Sequence, residues 1–474
     1  MEPDLVLTDP RYVALAAENA ALRAEMASLR EAMTRLEKLL ETLNVRLSKD
    51  SHNSHKPPGS DGPQAPPRPP TPPSGRKRGG QPGHKGKARQ ALPEGCEKRT
   101  EEIRLTACPH CACALPPEAI TGTVTHRVLD LVHELTEVIA YRLDEGCCPH
   151  CHRAVRAELP AEAQTELGPR LRALVAYLRT QGRMSLGPLQ FYCREVLHVD
   201  VSRGWLHESG TLVSEALAPA WQALADEIRT AEVLNMDETG FGRKDRDWIW
   251  VALSARAVLF HFSTTRSAEG LKAIVPKHYA GVLCTDRYGA YHTLKDAVRQ
   301  YCWAHLRREF IALSESEDTT VARLGKQMLA EQEEVFTQWH AFRQGVIDRT
   351  GLRQLSALVL ARLKRTLHAA SQLQHKAARA LGRDLIWNWN RLWVFLKVDG
   401  VEPTNNAAER ALRPLVILKK IFQRLPSPAG KKFFERLLSL GATARIRGVP
   451  YFDWLIQALR AARQSRPLPV LEPA

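Results

Sequence analysis

Residues 233–291 hold two short apolar runs that each close on an aspartate: VLNMDETGFG (Val233–Gly242) and GVLCTDRYGAY (Gly281–Tyr291). Between them, DWIWVALSARAVLFHFSTTRS (Asp247–Ser267) reads as a hairpin of two strands and SAEGLKAIV (Ser267–Val275) as a helix. In an open sheet containing parallel strands, side chains at the strand C-termini meet along one edge, so Asp237 and Asp286 are expected to converge there.

Strand, hairpin, helix, strand, with two acids at strand ends, is the order of a ribonuclease-H-like sheet. Paired aspartates suit a hard divalent cation, Mg²⁺ or Mn²⁺, which takes oxygen ligands. Phosphodiester hydrolysis or transfer uses two such ions about 3.5–4 Å apart to clamp the attacking and leaving oxygens. A third acid completes the cage, and Glu409 in VEPTNNAAERALRP (Val401–Pro414), in the first turn of an expected helix, is the candidate. A plainer reading stands beside this one. Asp-Glu-Thr-Gly and Asp-Arg-Tyr-Gly are good turns, and with Asn406 as N-cap, Glu409 closes a capping box.

Upstream, the composition changes several times, and at 474 residues the chain is long enough for several modules. Leu15, Leu22, Leu29, Leu36 and Leu43 recur every seven residues, with Asn19, Met26, Met33, Leu40 and Leu47 at the second seam position. This predicts a coiled coil over residues 1–48, in which Asn19 specifies a parallel pair and Glu18–Arg23 and Glu25–Arg30 pair across helices. The alternative is a helix packed on its own chain. Residues 49–95 are rich in Pro, Gly and Ser, with almost no apolar side chains, and read as a disordered linker. Arg76, Lys77, Arg78, Lys85 and Lys87 make its second half a basic arm for DNA. Two knuckles follow, Cys108-Pro-His-Cys111 and Cys148-Pro-His-Cys151, with a β-rich interval between them. Four thiolates on one structural Zn²⁺ predict a zinc ribbon over residues 96–160, with Cys96, Cys113 and Cys147 as bystanders.

Residues 166–220 contain three amphipathic helices, of which SLGPLQFYCREVLH (Ser185–His198) and SRGWLHESGTLVSEAL (Ser202–Leu217) are joined by a tight turn. They read as a helix-turn-helix, with Ser202, Arg203, Trp205 and His207 facing the major groove, or else as a plain packing module. The catalytic core then spans 228–312 and 396–425. It is interrupted by an all-α insertion, 313–395, expected to close over the site, and followed by C-terminal helices, 426–474. Within the insertion, Trp389 and Trp393 read as core. Arg410 and Arg413, just past Glu409, are candidate phosphate contacts.

The formal net charge of +15 favours a polyanionic partner, here double-stranded DNA. No apolar run approaches the roughly 20 residues a spanning helix needs. The acidic start MEPDLVL lacks the pattern of a signal peptide, so a cytoplasmic, nucleoid-associated protein with no membrane partner is expected.

The chain resembles the large transposases of the insertion-sequence 66 family along nearly its whole length. The matching pieces occur in order: the leucine-rich start, SHNSHKPPGSDGP, GGQPGHKG, the two CPHC knuckles, GPRLRALVAYL, MDETG, TDRYGAY, CWAHLRREF and TNNAAERALRP. The resemblance implies a DDE transposase with Asp237, Asp286 and Glu409 as its catalytic trio. It also implies a supporting CxxH signature at Cys302 and His305, and accessory proteins encoded beside this one. The chain departs from the family pattern at Thr404, where many relatives carry aspartate, and after each knuckle, where Ala112 and His152 stand for glycine. The fold expected overall is multidomain α+β: a ribonuclease-H-like core with an all-α insertion, preceded by coiled coil, zinc ribbon and helix-turn-helix. The rival functions are a non-catalytic DNA-binding regulator and a nuclease or resolvase that cuts without joining.

Overall fold

A computed structural model describes residues 10–47, 100, 103, 106, 107, 109, 110, 112–119, 122, 135–165, 167–241, 247–422 and 427–473. The basic arm with Arg76, Lys77, Arg78, Lys85 and Lys87, together with Cys96, Cys108 and Cys111, lies outside the described residues. The chain divides into two units, residues 66–137 and the remainder. In the smaller unit, the described residues form an antiparallel bridge between Ala107 and Ala114 and a 3₁₀ turn, Pro117–Ala119.

The larger unit is mixed α+β and mostly helical. Helix α1 (Pro10–Leu47) is 38 residues long. A two-stranded hairpin, β1 (Glu145–Cys147) and β2 (Ala154–Arg156), presents the second knuckle between its strands. Three helices follow: α2 (Pro169–Thr180), α3 (Leu186–Leu197) and α4 (Arg203–Ala216). They enclose a small core of Val175, Leu189, Cys193, Leu197, Val201 and Leu206. Helix α4 begins where the sequence suggested, because the Ser202 hydroxyl accepts from the Trp205 N–H at 3.0 Å. Helix α5 (Ala218–Thr230) leads into the main sheet.

That sheet has five strands: β3 (Val233–Phe241), β4 (Asp247–Leu253), β5 (Val258–Ser263), β6 (Val282–Thr285) and β7 (Val298–Tyr301), in the order β5-β4-β3-β6-β7. Strand β4 runs antiparallel to both neighbours, whereas β3, β6 and β7 are parallel. All four residues of β6 (VLCT) are buried, the pattern of a strand covered on both faces. A short helix, α6 (Ala268–Lys272), connects β5 towards β6.

Side chains close one edge of the sheet and tie the following loop to the other. Along β5, helix α12 (Pro428–Arg447) offers Ser439 Oγ to the Phe260 N–H (2.9 Å) and Thr443 Oγ1 to the Val258 N–H (3.0 Å). Beside β7, the Gln300 amide donates to Leu392 O (3.2 Å) and its oxygen accepts from the Phe395 N–H (3.0 Å). On β5, outward ladder N–H groups are thereby satisfied without a further strand.

Between β7 and the last part of the chain, helices α7 (Trp303–Ser314), α8 (Thr319–Arg343), α9 (Arg349–Gln372) and α10 (Lys376–Trp387) build a second core. Trp393 is buried in it, 4.9 Å from Trp303 and edge-on to Trp389 at 5.3 Å, as a core residue would be. Helix α11 (Asn406–Phe422) then packs across β3 and β4. Helix α12 and the final helix α13 (Tyr451–Arg463) join the core of the sheet itself. Among the described residues, no helix is long and apolar enough to cross a membrane.

Candidate active site

Strand β3 outruns its parallel neighbour. Only Val233–Asn235 pair with β6, so Asp237 and Glu238 project past the point where β6 ends at Thr285. Asp286 is the next residue, and the two aspartates share one sheet edge as the sequence suggested. Strand pleating sends Asp237 to the face of Ile249 and Val251 and Glu238 to the face of Trp250. Asp286 Oδ1 accepts from the Tyr288 N–H (2.8 Å), and Asp237 Oδ1 from the Glu238 N–H (2.9 Å). Behind Asp286, the buried Arg299 donates to its carbonyl (2.8 Å) and to Thr285 Oγ1 (2.9 Å).

Glu409 returns to this edge across the helical insertion through a set of long-range bonds. The Trp303 N–H donates to Pro403 O (3.0 Å), the Cys302 N–H to Thr285 O (2.9 Å), and the Asn405 N–H to Cys302 Sγ (3.1 Å). Fully buried Asn405 also donates from Nδ2 to Met236 O at 2.6 Å, the carbonyl just before Asp237. The N–H groups of Ala408 and Glu409 bond to Asn405 O, which makes Asn405 the cap and Glu409 the fourth helical residue. That is one position beyond the site a capping box requires.

Electrostatics report the convergence. Burial, then the charge of Glu238, and then those of Asp286 and Glu409 push the Asp237 carboxyl well above its ordinary range, opposed by the Glu238 N–H. Burial and Asp286 likewise raise Glu238, against Tyr291 and Arg266. Glu238 is a fourth acid of the site that the sequence reading did not single out; its only signal was its place beside Asp237. His305 Nε2 lies 3.8 Å from Glu409 Oε1. Burial pushes the Cys302 thiol up to about 11, which favours the neutral form that accepts from the Asn405 N–H.

The donor set is all carboxylate oxygen, the kind that holds Mg²⁺ or Mn²⁺, and its mutual repulsion is what a cation relieves. Among the described residues, no three such side chains yet stand together at ligating distance. Glu409 is 30% exposed, with Oε1 directed at His305.

The remaining candidates lie elsewhere. Ser202, Arg203 and His207 are exposed at the start of α4, whereas Trp205 is half-buried with Arg172 5.2 Å above its ring. Arg410 and Arg413 are exposed on α11, on the side away from its buried stripe of Ala408, Leu412 and Leu415. At the second knuckle, the backbone N–H groups of Cys151 and His150 point at Cys148 and lower its thiol below the usual range. Ala112 (φ 61°) and His152 (φ 53°), each following a knuckle, both hold the left-handed conformation that glycine adopts freely.

The transposase IS66 family matches residues 164–432, and a family of unknown function (DUF6444) matches residues 7–90. An uncharacterized protein y4jD from Sinorhizobium fredii is 27% identical over 380 residues, 74% of each chain. A second from the same organism, y4qI, is 26% identical over 422 residues, 79% of this chain and 74% of its own.

Proposed function

The chain belongs to the transposase IS66 family, and from that premise we propose that it is a DDE transposase that binds the terminal inverted repeats of its mobile element and carries out metal-dependent DNA cleavage and strand transfer. The observation that carries this reading is the bond from Asn405 to Met236 O, which brings the helix of Glu409 back to the edge holding Asp237 and Asp286. The strand order, with β4 alone antiparallel, supports a ribonuclease-H-like core interrupted by a helical insertion.

Asp237 and Asp286 would hold the ions, Mg²⁺ or Mn²⁺, and Glu409 would complete the cage by leaving His305. When bound, two such ions clamp the attacking and leaving oxygens of an in-line displacement. The protein's own residues set up that exchange. Cys302 and Asn405 fix the helix that carries Glu409, and Arg299 holds the Asp286 backbone. Hydrolysis at the element end breaks one phosphodiester and leaves a 3′-hydroxyl. That hydroxyl then displaces a target phosphodiester, without any covalent bond between protein and DNA.

The other modules bring DNA to this edge. Exposed Ser202, Arg203 and His207 support a helix-turn-helix, and Arg410 and Arg413 suit phosphate contacts. The basic arm with Arg76, Lys77, Arg78, Lys85 and Lys87 adds affinity without sequence preference. Amide groups aimed at Cys148 suit a thiolate there, which with Cys151 would serve a structural Zn²⁺. The exposed apolar stripe of α1 supports a homodimer that pairs two element ends, with accessory proteins of the same element as further partners.

A strand-transfer assay tests the reading, with terminal-repeat duplex, target plasmid, Mg²⁺ or Mn²⁺ and the neighbouring gene products supplied. Wild type should yield cut and joined products. Asp237→Asn and Glu409→Gln should lose at least about 100-fold, the loss even an outer partner of a metal can cause, while still binding DNA. Cut ends that never join would favour a nuclease or resolvase. Binding by wild type with neither product would favour a regulator.

A further inference from the structure

Arg266 has no role in the catalytic arrangement above, yet it is held more firmly than a half-exposed arginine usually is. Its Nε and Nη2 both donate to Glu238 Oε1, at 3.0 and 2.8 Å, and Glu238 Oε2 accepts from the Tyr291 hydroxyl at 2.6 Å. The guanidinium lies 4.0 Å from the ring centroid of Tyr288 and 5.1 Å from that of Trp248. The Tyr288 hydroxyl closes the loop by donating to Arg266 O (3.1 Å). The same Tyr288 gives its backbone N–H to Asp286, so this assembly adjoins the carboxylate edge.

Exposure separates two explanations. A cation present only to neutralise a buried acid would be buried with it. Here Glu238 is 1% exposed while the Arg266 side chain is 40% exposed. One edge of the guanidinium is taken by Glu238 and its plane by two rings. The edge carrying Nη1 donates to none of the described residues. A guanidinium whose plane is occupied has only in-plane donors left to offer, and these match a phosphate oxygen rather than a stacked base. A DNA strand approaching four carboxylates needs a fixed positive group beside them.

We propose that Arg266, locked by Glu238, Tyr288 and Trp248, binds one backbone phosphate of the DNA strand that lies across Asp286. The proposal rests on the transposase reading and adds to it a phosphate subsite on the Glu238 side of the sheet. Loss of the contact should weaken binding about tenfold, as for one charge-assisted hydrogen bond. It should also reduce the slope of log affinity against log salt by about one.

The test uses terminal-repeat duplexes in Ca²⁺, each carrying a single neutral methylphosphonate at a different position near the cleavage site. Wild type should show one position where the substitution costs about tenfold, and Arg266→Ala should be insensitive at that position. Arg266→Ala leaves Glu238 unpaired, so the doubly neutral Arg266→Met/Glu238→Gln variant must lose the same position and the same unit of salt slope while melting like wild type. Arg266→Lys, which keeps the charge but not the fork, should retain the salt slope and bind more weakly. Identical methylphosphonate profiles and slopes in wild type and both neutral variants would overturn this subsite and leave the transposase reading standing. Failure of wild type to bind the duplex at all would overturn both.

Discussion

At the scale of single residues, the site stores charge repulsion. The folded protein holds the Asp237 proton to a higher pH than the unfolded chain does, because burial and the charges of Glu238, Asp286 and Glu409 disfavour its ionised form. Between the ordinary aspartate range and that raised value, the folded state binds more protons than the unfolded one. Stability of the metal-free protein therefore falls as pH rises through this window and is regained as pH falls. Asp237→Asn removes the cause. It should raise the melting midpoint in EDTA by a few degrees near neutral pH, flatten the pH dependence, and show none of the further stabilisation expected on adding Mg²⁺ to wild type. Melting curves across pH, with and without metal, check all three; an unchanged midpoint in EDTA would remove the repulsion argument. Asp237 and Asp286 were legible in the sequence because an acid ending an apolar run is a local pattern. Glu238 was not, since alternation gives its face but not what covers that face. The cap of α11 was misassigned by one residue for a related reason: Asn405 and Asn406 are equally good caps, and a tertiary carbonyl, Met236 O, decides between them.

At the scale of elements, periodicity predicted most helices and strands, but not the bonds that locate them. The segment AGKKFFERLLSLGATARIRG reads as one more amphipathic helix. In the fold it is the lid of an edge strand, because Ser439 and Thr443, four residues apart, point at alternate free N–H groups of β5. Two hydroxyls one and two turns after the buried Glu435 were the visible signal, and their partners lie 179 and 185 positions away in sequence, where no local pattern reaches. Ser439→Ala or Thr443→Val should each cost about 1–3 kcal/mol, the price of leaving a buried N–H unpaired, and the double variant should also expose β5 to edge-to-edge association. Urea unfolding gives the first quantity and light scattering the second. Losses below a few tenths of a kcal/mol would mean that α12 covers the strand by packing alone. The return of Glu409 depends on the same kind of bond. It runs through Thr285, Cys302, Pro403 and Asn405, each ordinary in its own stretch of sequence.

At the scale of the whole molecule, the apolar stripe of α1 has no cover among the described residues. Leu15, Leu22, Leu29 and Leu36 are 53–59% exposed, and Met26, Met33 and Leu40 lie beside them at comparable exposure. Such a stripe is normally covered, and a heptad seam this narrow fits one partner helix better than a broad protein face. Within one chain, Asn19 can only donate to Leu15 O of its own helix (3.1 Å). Across a parallel pair it would meet its counterpart, which fixes register at some cost in stability. The full chain should therefore sediment as a dimer at micromolar concentration, and deletion of residues 1–48 should give a monomer. Asn19→Leu should strengthen association while admitting other oligomeric states, because the register-setting group is gone. The functional consequence is separable. The deleted protein should still bind and nick a single element end, since its carboxylate edge and helices α3 and α4 are untouched, but should lose the products that require two ends held together. A full-length chain that sediments as a monomer would overturn this account, and the leucines would then need a cover from elsewhere in the same chain.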